Sequence, residues 1–326
     1  MPGNTLHSSI TPYRLQFKVP FETAHGRREG TDAVFVRLQG KGCTGYGEAT
    51  LPPYLPYHTD NVMRWFQRHV APTFVLPENP NEFLNQLPFD CPPARAAIDM
   101  AVWQCHMQLS GQSPAAAFGM TEQPKENVPH TFTIGVDTPD VVSGRVNDGM
   151  RSGFSMFKLK LSGQSDRETV VAYRNCCPLP FAVDVNQGWN DPARSLEMAR
   201  WLAEQGCVLI EQPFPTSYLE WFAQLTGHTS IPVIADESCQ HIADLESLAG
   251  KVDGINIKLQ KCGGLAVAAA MIKRARELDM KVLIGCMSES SVGCNAAEWL
   301  APWCDWADLD GPWLISNDPD PDGLFA

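Results

Sequence analysis

A chain of 326 residues, 44% hydrophobic and 19% charged, has the composition of a water-soluble globular protein and the length for one large domain plus a smaller second one. No apolar run approaches the ~18 residues of a membrane span, and Met1-Pro-Gly-Asn-Thr5 opens no basic-then-apolar leader, so the expected location is the cytoplasm. A net charge of −12 argues against nucleic acid or an anionic membrane as partner; the sequence leaves a homo-oligomer open.

Residues 8 to 50 read as antiparallel β. Tyr13 to Val19 alternates, Ala33-Val-Phe-Val-Arg-Leu38 follows, and the Gly-rich stretch Gly40 to Gly45 reads as a turn before Tyr46-Gly-Glu-Ala49. Asp60 is placed to cap a helix running to about Val70. Pro93 to Leu109 reads as a second helix, with Ala97, Met100, Ala101 and Leu109 near one face and Gly111 as its stop. This β-then-α segment, residues 1–120, is expected to form a separate α+β layer, rejoined by the tail 313–326. From residue 121 to 312 the pattern changes to βαβα alternation, with strands near 129–135, 154–160, 181–186, 207–211, 231–236, 254–258, 281–286 and 306–310. Eight such strands with short helical connections predict a parallel barrel, an α/β fold.

Charged residues stand at the C-terminal ends of these strands. Lys160, Asp184, Glu211, Asp236 and Lys258 follow one another at intervals of 24, 27, 25 and 22 residues, and Asp308 with Asp310 closes the series. A strand, a helix and two short loops take about that many residues, and catalytic groups of parallel barrels occupy that rim. Asp184, Glu211 and Asp236 end three consecutive strands, and three converging carboxylates repel unless a cation lies between them. An all-oxygen donor set suits one Mg²⁺. The eleven cysteines offer no C-x-x-C and read as free buried thiols; the eight histidines show no metal-ligand spacing.

Lys158 and Lys160 are two residues apart and share one face of a strand. Lys258 lies four strands away in a ring of eight, which places it opposite Lys160. Two amines on opposite sides of a bound carboxylate could remove and return a proton on either face of the adjacent carbon.

The ordered set Lys158-x-Lys160, Asp184-x-Asn186, Glu211-Gln-Pro213, Asp236-Glu-Ser238 and Asn256-Ile-Lys258-x-x-Lys261-x-Gly263-Gly264 resembles the muconate-lactonizing subgroup of the enolase superfamily. Ala97-Ile-Asp99-Met-Ala101-x-Trp103 is similar to a helix of that family's capping domain. The continuation Trp103-Gln-Cys departs from the Trp-Asp-Leu of many relatives. Within the subgroup, Gly285-Cys-Met-Ser-Glu-Ser290 and Asp308-Leu-Asp310-Gly-Pro resemble the dipeptide epimerases.

The resemblance implies a modified (β/α)7β barrel with an N-terminal α+β capping domain. It also implies Mg²⁺ on Asp184, Glu211 and Asp236, and 1,1-proton transfer by Lys160 and Lys258. Asp308 and Asp310 would bind the α-ammonium of a small dipeptide. Lys158, Cys286, Met287 and Ser288 would line the substrate, with Asn186 and Lys261 in supporting places. Two capping loops are expected at Glu22 to Gly30 and Thr50 to His58. By its spacing from Phe21, Arg28 aligns with an arginine that pairs with glutamate in epimerases of L-Ala-D/L-Glu, a dipeptide of cell-wall recycling.

Three rival readings fit the same residues less well. An o-succinylbenzoate synthase or muconate-type cycloisomerase would have no use for the Asp308/Asp310 pair. A sugar-acid dehydratase would need a histidine where strand seven has Gly285-Cys-Met-Ser. A catalytically inactive barrel kept for binding would not fill every metal and lysine position.

Overall fold

The computed structural model describes residues 4–23, 26–135 and 137–325. The N-terminal unit is a four-stranded antiparallel sheet of β1 (Asn4–Thr23), β2 (Gly26–Gly40), β3 (Cys43–Leu51) and β4 (Thr73–Leu76), in the order β3-β2-β1-β4. β2 is buried on both faces. Val34, Val36 and Leu38 join the main core, whereas Ala33 and Phe35 pack with Leu15 and Ile315. The described residues of the segment expected as a loop at Glu22 to Gly30 are instead strand, at the end of β1 and the start of β2, where pairing resumes at Phe21↔Arg28 after an irregularity. His25, within that expected loop, lies outside the described residues.

Helix Thr59–His69 starts two residues earlier than expected. His58, not Asp60, is the N-cap, its backbone N–H donating to Asn61 Oδ1 at 3.1 Å. Helix Pro92–Ser110 ends at Gly111, whose φ of 71° is the left-handed geometry of a C-terminal stop. Every residue from Pro92 to Trp103 is buried, so the single apolar face expected for it is corrected to burial all round. Small side chains explain this: the helix is pressed between β3 and the barrel. A Cβ at Gly45 would come within 2.0 Å of Ala101 O, and one at Gly47 within 1.8 Å of Ala97 O. Both glycines therefore belong to strand β3 and serve helix packing, and the turn shrinks to Lys41-Gly42.

The second sheet has eight parallel strands in sequential order: β5 (Thr131–Ile134), β6 (Met156–Lys160), β7 (Phe181–Asp184), β8 (Cys207–Glu211), β9 (Val233–Ala235), β10 (Gly254–Lys258), β11 (Lys281–Gly285) and β12 (Trp306–Asp308). A bridge between His130 and Ala307 closes the ring, with Ala307 N donating to Pro129 O at 2.9 Å. This is the expected (β/α)7β barrel beside a capping domain. Strand period sets its interior. Met156, Ala182, Leu209, Ile234 and Leu283 form an apolar plug. Two residues further along five of those strands come Lys158, Asp184, Glu211, Asp236 and Gly285. The barrel floor is thus oily and its C-terminal rim charged.

The tail lies on β1: Ser316 N donates to Gln16 O at 2.8 Å, and Asn317 Nδ2 donates to Arg14 O at 2.9 Å. All eleven cysteines are free, and only Cys176 is exposed. Among the described residues no helix is long and apolar enough to cross a membrane.

Candidate active site

Register places the charged rim. Lys160, Asp184 and Glu211 are successive backbone partners across β6, β7 and β8, and Lys258, Gly285 and Asp308 across β10, β11 and β12. Asp184, Glu211 and Asp236 each bring a carboxylate oxygen within 4.8 Å of the others, all three buried. Glu211 Oε1 accepts from Asn256 Nδ2 at 2.9 Å. Gly285 makes room for that amide, because a Cβ there would sit 2.6 Å from Asn256 Oδ1. The oxygen-only, closely converging set fits Mg²⁺.

Ammonium groups lace the acids together. Lys158 Nζ reaches Asp308 Oδ2 at 2.7 Å, Glu211 Oε2 at 2.8 Å and Asp184 Oδ2 at 3.1 Å. Lys160 Nζ shares that Asp184 oxygen at 2.6 Å. On the opposite side Lys258 Nζ lies 2.7 Å from Asp236 Oδ2, and Lys261 Nζ lies 2.5 Å from Asp236 Oδ1.

The pKa directions follow from this lacing. Burial would raise Asp184, but Lys160 and Lys158 outweigh it and hold the carboxyl well below its usual range. Burial, with Asp184 beside it, pushes Glu211 up to about 8. A cation among these carboxylates would relieve that repulsion. Burial works against the charge on Lys158, yet Asp308, Glu211 and Asp184 drive its pKa well up.

At the barrel seam Asp308 Oδ1 accepts from Thr131 Oγ1 at 2.6 Å, and Asp310 Oδ2 accepts from Thr133 N at 2.5 Å. Burial tends to raise Asp308, but Lys158 keeps it low. Asp310 is pushed up to about 7 by burial and then by the neighbouring Asp308.

Above these groups is a cavity of about 260 Å³. Lys158, Lys160, Asn186, Asp236, Lys258, Lys261, Asp308 and Asp310 form its floor and sides. Cys286, Met287 and Ser288 line one wall, and Arg28 with Tyr54 and Leu55 approaches from the capping domain. Asp184 and Glu211 lie beneath, behind Lys158. Every residue expected at the site is therefore brought together. The Arg28 guanidinium stands 5.6 Å from the Phe17 ring centroid and 5.7 Å from that of Tyr54, and Tyr54 Oη donates to Met287 Sδ at 3.1 Å.

Some site residues escaped the sequence reading. Thr131 and Thr133 hold the acid pair; their spacing of two on the first barrel strand was the available signal. Gln212, at φ 38°, accepts from Asp236 N at 2.8 Å and donates to Phe214 O at 2.9 Å, fixing the loop that carries Asp236. Gln260 donates to Glu48 O at 2.9 Å and Glu289 Oε2 at 3.1 Å, tying the barrel to the cap.

Residues 142–304 match a family model described as enolase C-terminal domain-like. The chain is 39% identical over 320 residues to an L-Ala-D/L-Glu epimerase of Bacteroides thetaiotaomicron, covering 97% of this chain and 82% of that protein. It is 32% identical over 307 residues to an L-Ala-D/L-Glu epimerase of Escherichia coli, covering 93% and 92%. Among solved structures it is similar to a dipeptide epimerase from Enterococcus faecalis complexed with Mg and L-Leu-L-Tyr, with a TM-score of 0.87, 26% identity and coverage of 97% and 93%.

Proposed function

Because this chain belongs to the enolase superfamily, among its dipeptide epimerases, we propose that it inverts the α-carbon of the C-terminal residue of a dipeptide, with L-Ala-D/L-Glu as the preferred substrate. The single observation carrying the reading is the opposition of Lys160 and Lys258 across one cavity lined by a separate acid pair, with the carboxylate triad at and beneath its floor.

Asp184, Glu211 and Asp236 would hold Mg²⁺, which when bound supplies positive charge against the negative charge that grows on the substrate carboxylate as the α-proton leaves. Lys160 and Lys258 do the proton work: one removes the α-proton, the other returns a proton to the opposite face. Lys158, fixed by three carboxylates, keeps a buried cation beside the developing charge. Asp308 and Asp310 accept the substrate's α-ammonium, and Arg28 takes a side-chain carboxylate by a charge-assisted bond. Residues 1–120 with the tail 313–326 act as the capping unit over the barrel of 121–312.

A cycloisomerase or synthase would leave the buried acid pair without a cationic ligand, which favours the epimerase. The test is a dipeptide library incubated with protein and Mg²⁺ in D₂O and read by mass spectrometry. The expected result is deuterium at the C-terminal residue's α-carbon, fastest for L-Ala-L-Glu and L-Ala-D-Glu. No incorporation into any free dipeptide would overturn the proposal.

A further inference from the structure

Two buried side chains of the capping helix, Arg95 and Asp99, line no part of the cavity, yet they grip the loop behind one of the two lysines. Lys258 runs directly into the single helical turn Leu259–Cys262, which ends in Gly263 (φ 86°) and Gly264 (φ 128°). Arg95 Nη1 donates to Gly263 O at 2.6 Å, and its guanidinium lies 3.9 Å from the Phe89 ring centroid. Asp99 Oδ1 accepts from Leu265 N at 2.6 Å, at the start of helix Leu265–Glu277. The fit leaves no slack: a Cβ on Gly264 would lie 2.3 Å from Asp99 Cγ.

Inside the same turn, Lys261 Nζ donates to Asp236 O at 2.7 Å and to Asn256 O at 3.0 Å, besides its ion pair with Asp236. Asp236 in turn holds Lys258. A continuous buried path therefore joins the capping helix to the Lys258 amine. Among the described residues, Lys160 has no such support from the capping helix. The loop after it is held by Asp166, whose Oδ1 accepts from Ser162 N at 3.0 Å and Gly163 N at 2.8 Å, and whose Oδ2 accepts from Trp189 Nε1 at 2.8 Å. All of those are barrel residues.

We propose that Arg95 and Asp99 are positioning residues for proton transfer on the Lys258 face alone. The inference rests on the epimerase reading. Reacting groups must be held close to productive geometry, and a shift of about 1 Å can cost roughly 10²-fold in rate.

The test measures α-proton exchange into D₂O, by NMR with Mg²⁺ present, separately for L-Ala-L-Glu and L-Ala-D-Glu. Lys160→Ala and Lys258→Ala first establish which diastereomer each lysine serves. In Asp99→Asn, exchange of the Lys258-served diastereomer should fall about tenfold or more, and that of the Lys160-served one less than about twofold. Arg95→Lys keeps the cation and loses the planar fork; it carries the same test should Asp99→Asn fail to fold. Cys105→Ala, buried on the same helix but directed at Leu38 O on the sheet, should lower the melting temperature without face bias. Equal loss on both faces, or no loss on either, overturns the proposal. A wild type that exchanges neither diastereomer overturns the epimerase reading itself, a different result.

Discussion

Around Lys160 the chain is braced by barrel loops, with Asp166, Trp189 and the backbone of β7 as the supports. Around Lys258 the brace crosses to the capping helix through Arg95, Asp99 and the Gly263-Gly264 corner. A two-base reaction asks the same of both amines, yet the fold supplies one from a rigid rim and the other from a seam between units. The difference teaches that cap docking can act on one half of a symmetric reaction.

The largest effect expected is loss of the charge under both halves. Exhaustive chelation, or Glu211→Gln, should remove most exchange from both diastereomers alike, since the cation matters more as charge develops than before. Isothermal titration with Mg²⁺ should show weakened binding for the variant. A preserved rate after chelation would break the account of both halves at once.

Next comes the acid pair, which belongs to neither lysine. Asp308→Asn should lower kcat/KM for free dipeptides at least about a hundredfold, because breaking a buried charge pair from one side costs roughly 3–5 kcal/mol. N-acetylation of the substrate should do comparable harm to the wild type. An N-acetyl dipeptide turned over as fast as the free one would remove this role from the pair.

Arg28 should act on side chain rather than face. Arg28→Ala is expected to cost about 1.5–3 kcal/mol with C-terminal Glu and little with C-terminal Leu, measured as kcat/KM on both diastereomers. Equal losses for Glu and Leu would remove Arg28 as the specificity residue.

The smallest effect is one of stability at the seam. Burial pushes Asp99 up to about 7, only partly opposed by Arg95. A carboxyl raised in this way contributes stability that is full below its unfolded value of about 3.9 and is lost as pH rises through 7. The melting temperature of the wild type relative to Asp99→Asn should therefore drop by a few degrees between pH 5 and pH 8. A difference that stays constant or grows with pH would place the Asp99 carboxyl in its ordinary range.

Much of this arrangement was readable from residue order. Lys160, Asp184, Glu211 and Asp236 could be placed because each closes an apolar strand, and period-two alternation turns them all inward above Met156, Ala182, Leu209 and Ile234. What could not be read depends on contacts between distant segments. Gly45 looks like a turn residue until Ala101 is packed onto it, Gly47 gives no sign of its contact with Ala97, and helix Pro92–Ser110 looks one-sided until the barrel covers its other face. Thr131, Thr133, Gln212 and Gln260 are ordinary polar residues in sequence, made functional only by the charged neighbour that folding brings to each. Asp99 was visible within a helix signature and Arg95 only as a residue of the same helix, and their hold on the Gly263-Gly264 corner spans more than 160 positions of chain.

Two opposed lysines working on one carbon leave a stereochemical signature that can be measured directly. Lys160→Ala and Lys258→Ala are each incubated with L-Ala-L-Glu and with L-Ala-D-Glu in D₂O and Mg²⁺, and deuterium at the glutamate α-carbon is followed by NMR. The expected result is a mirror image: neither variant epimerises, one exchanges only the L,L diastereomer, and the other exchanges only the L,D. Near-normal epimerisation by either variant, or exchange of the same diastereomer by both, would contradict it.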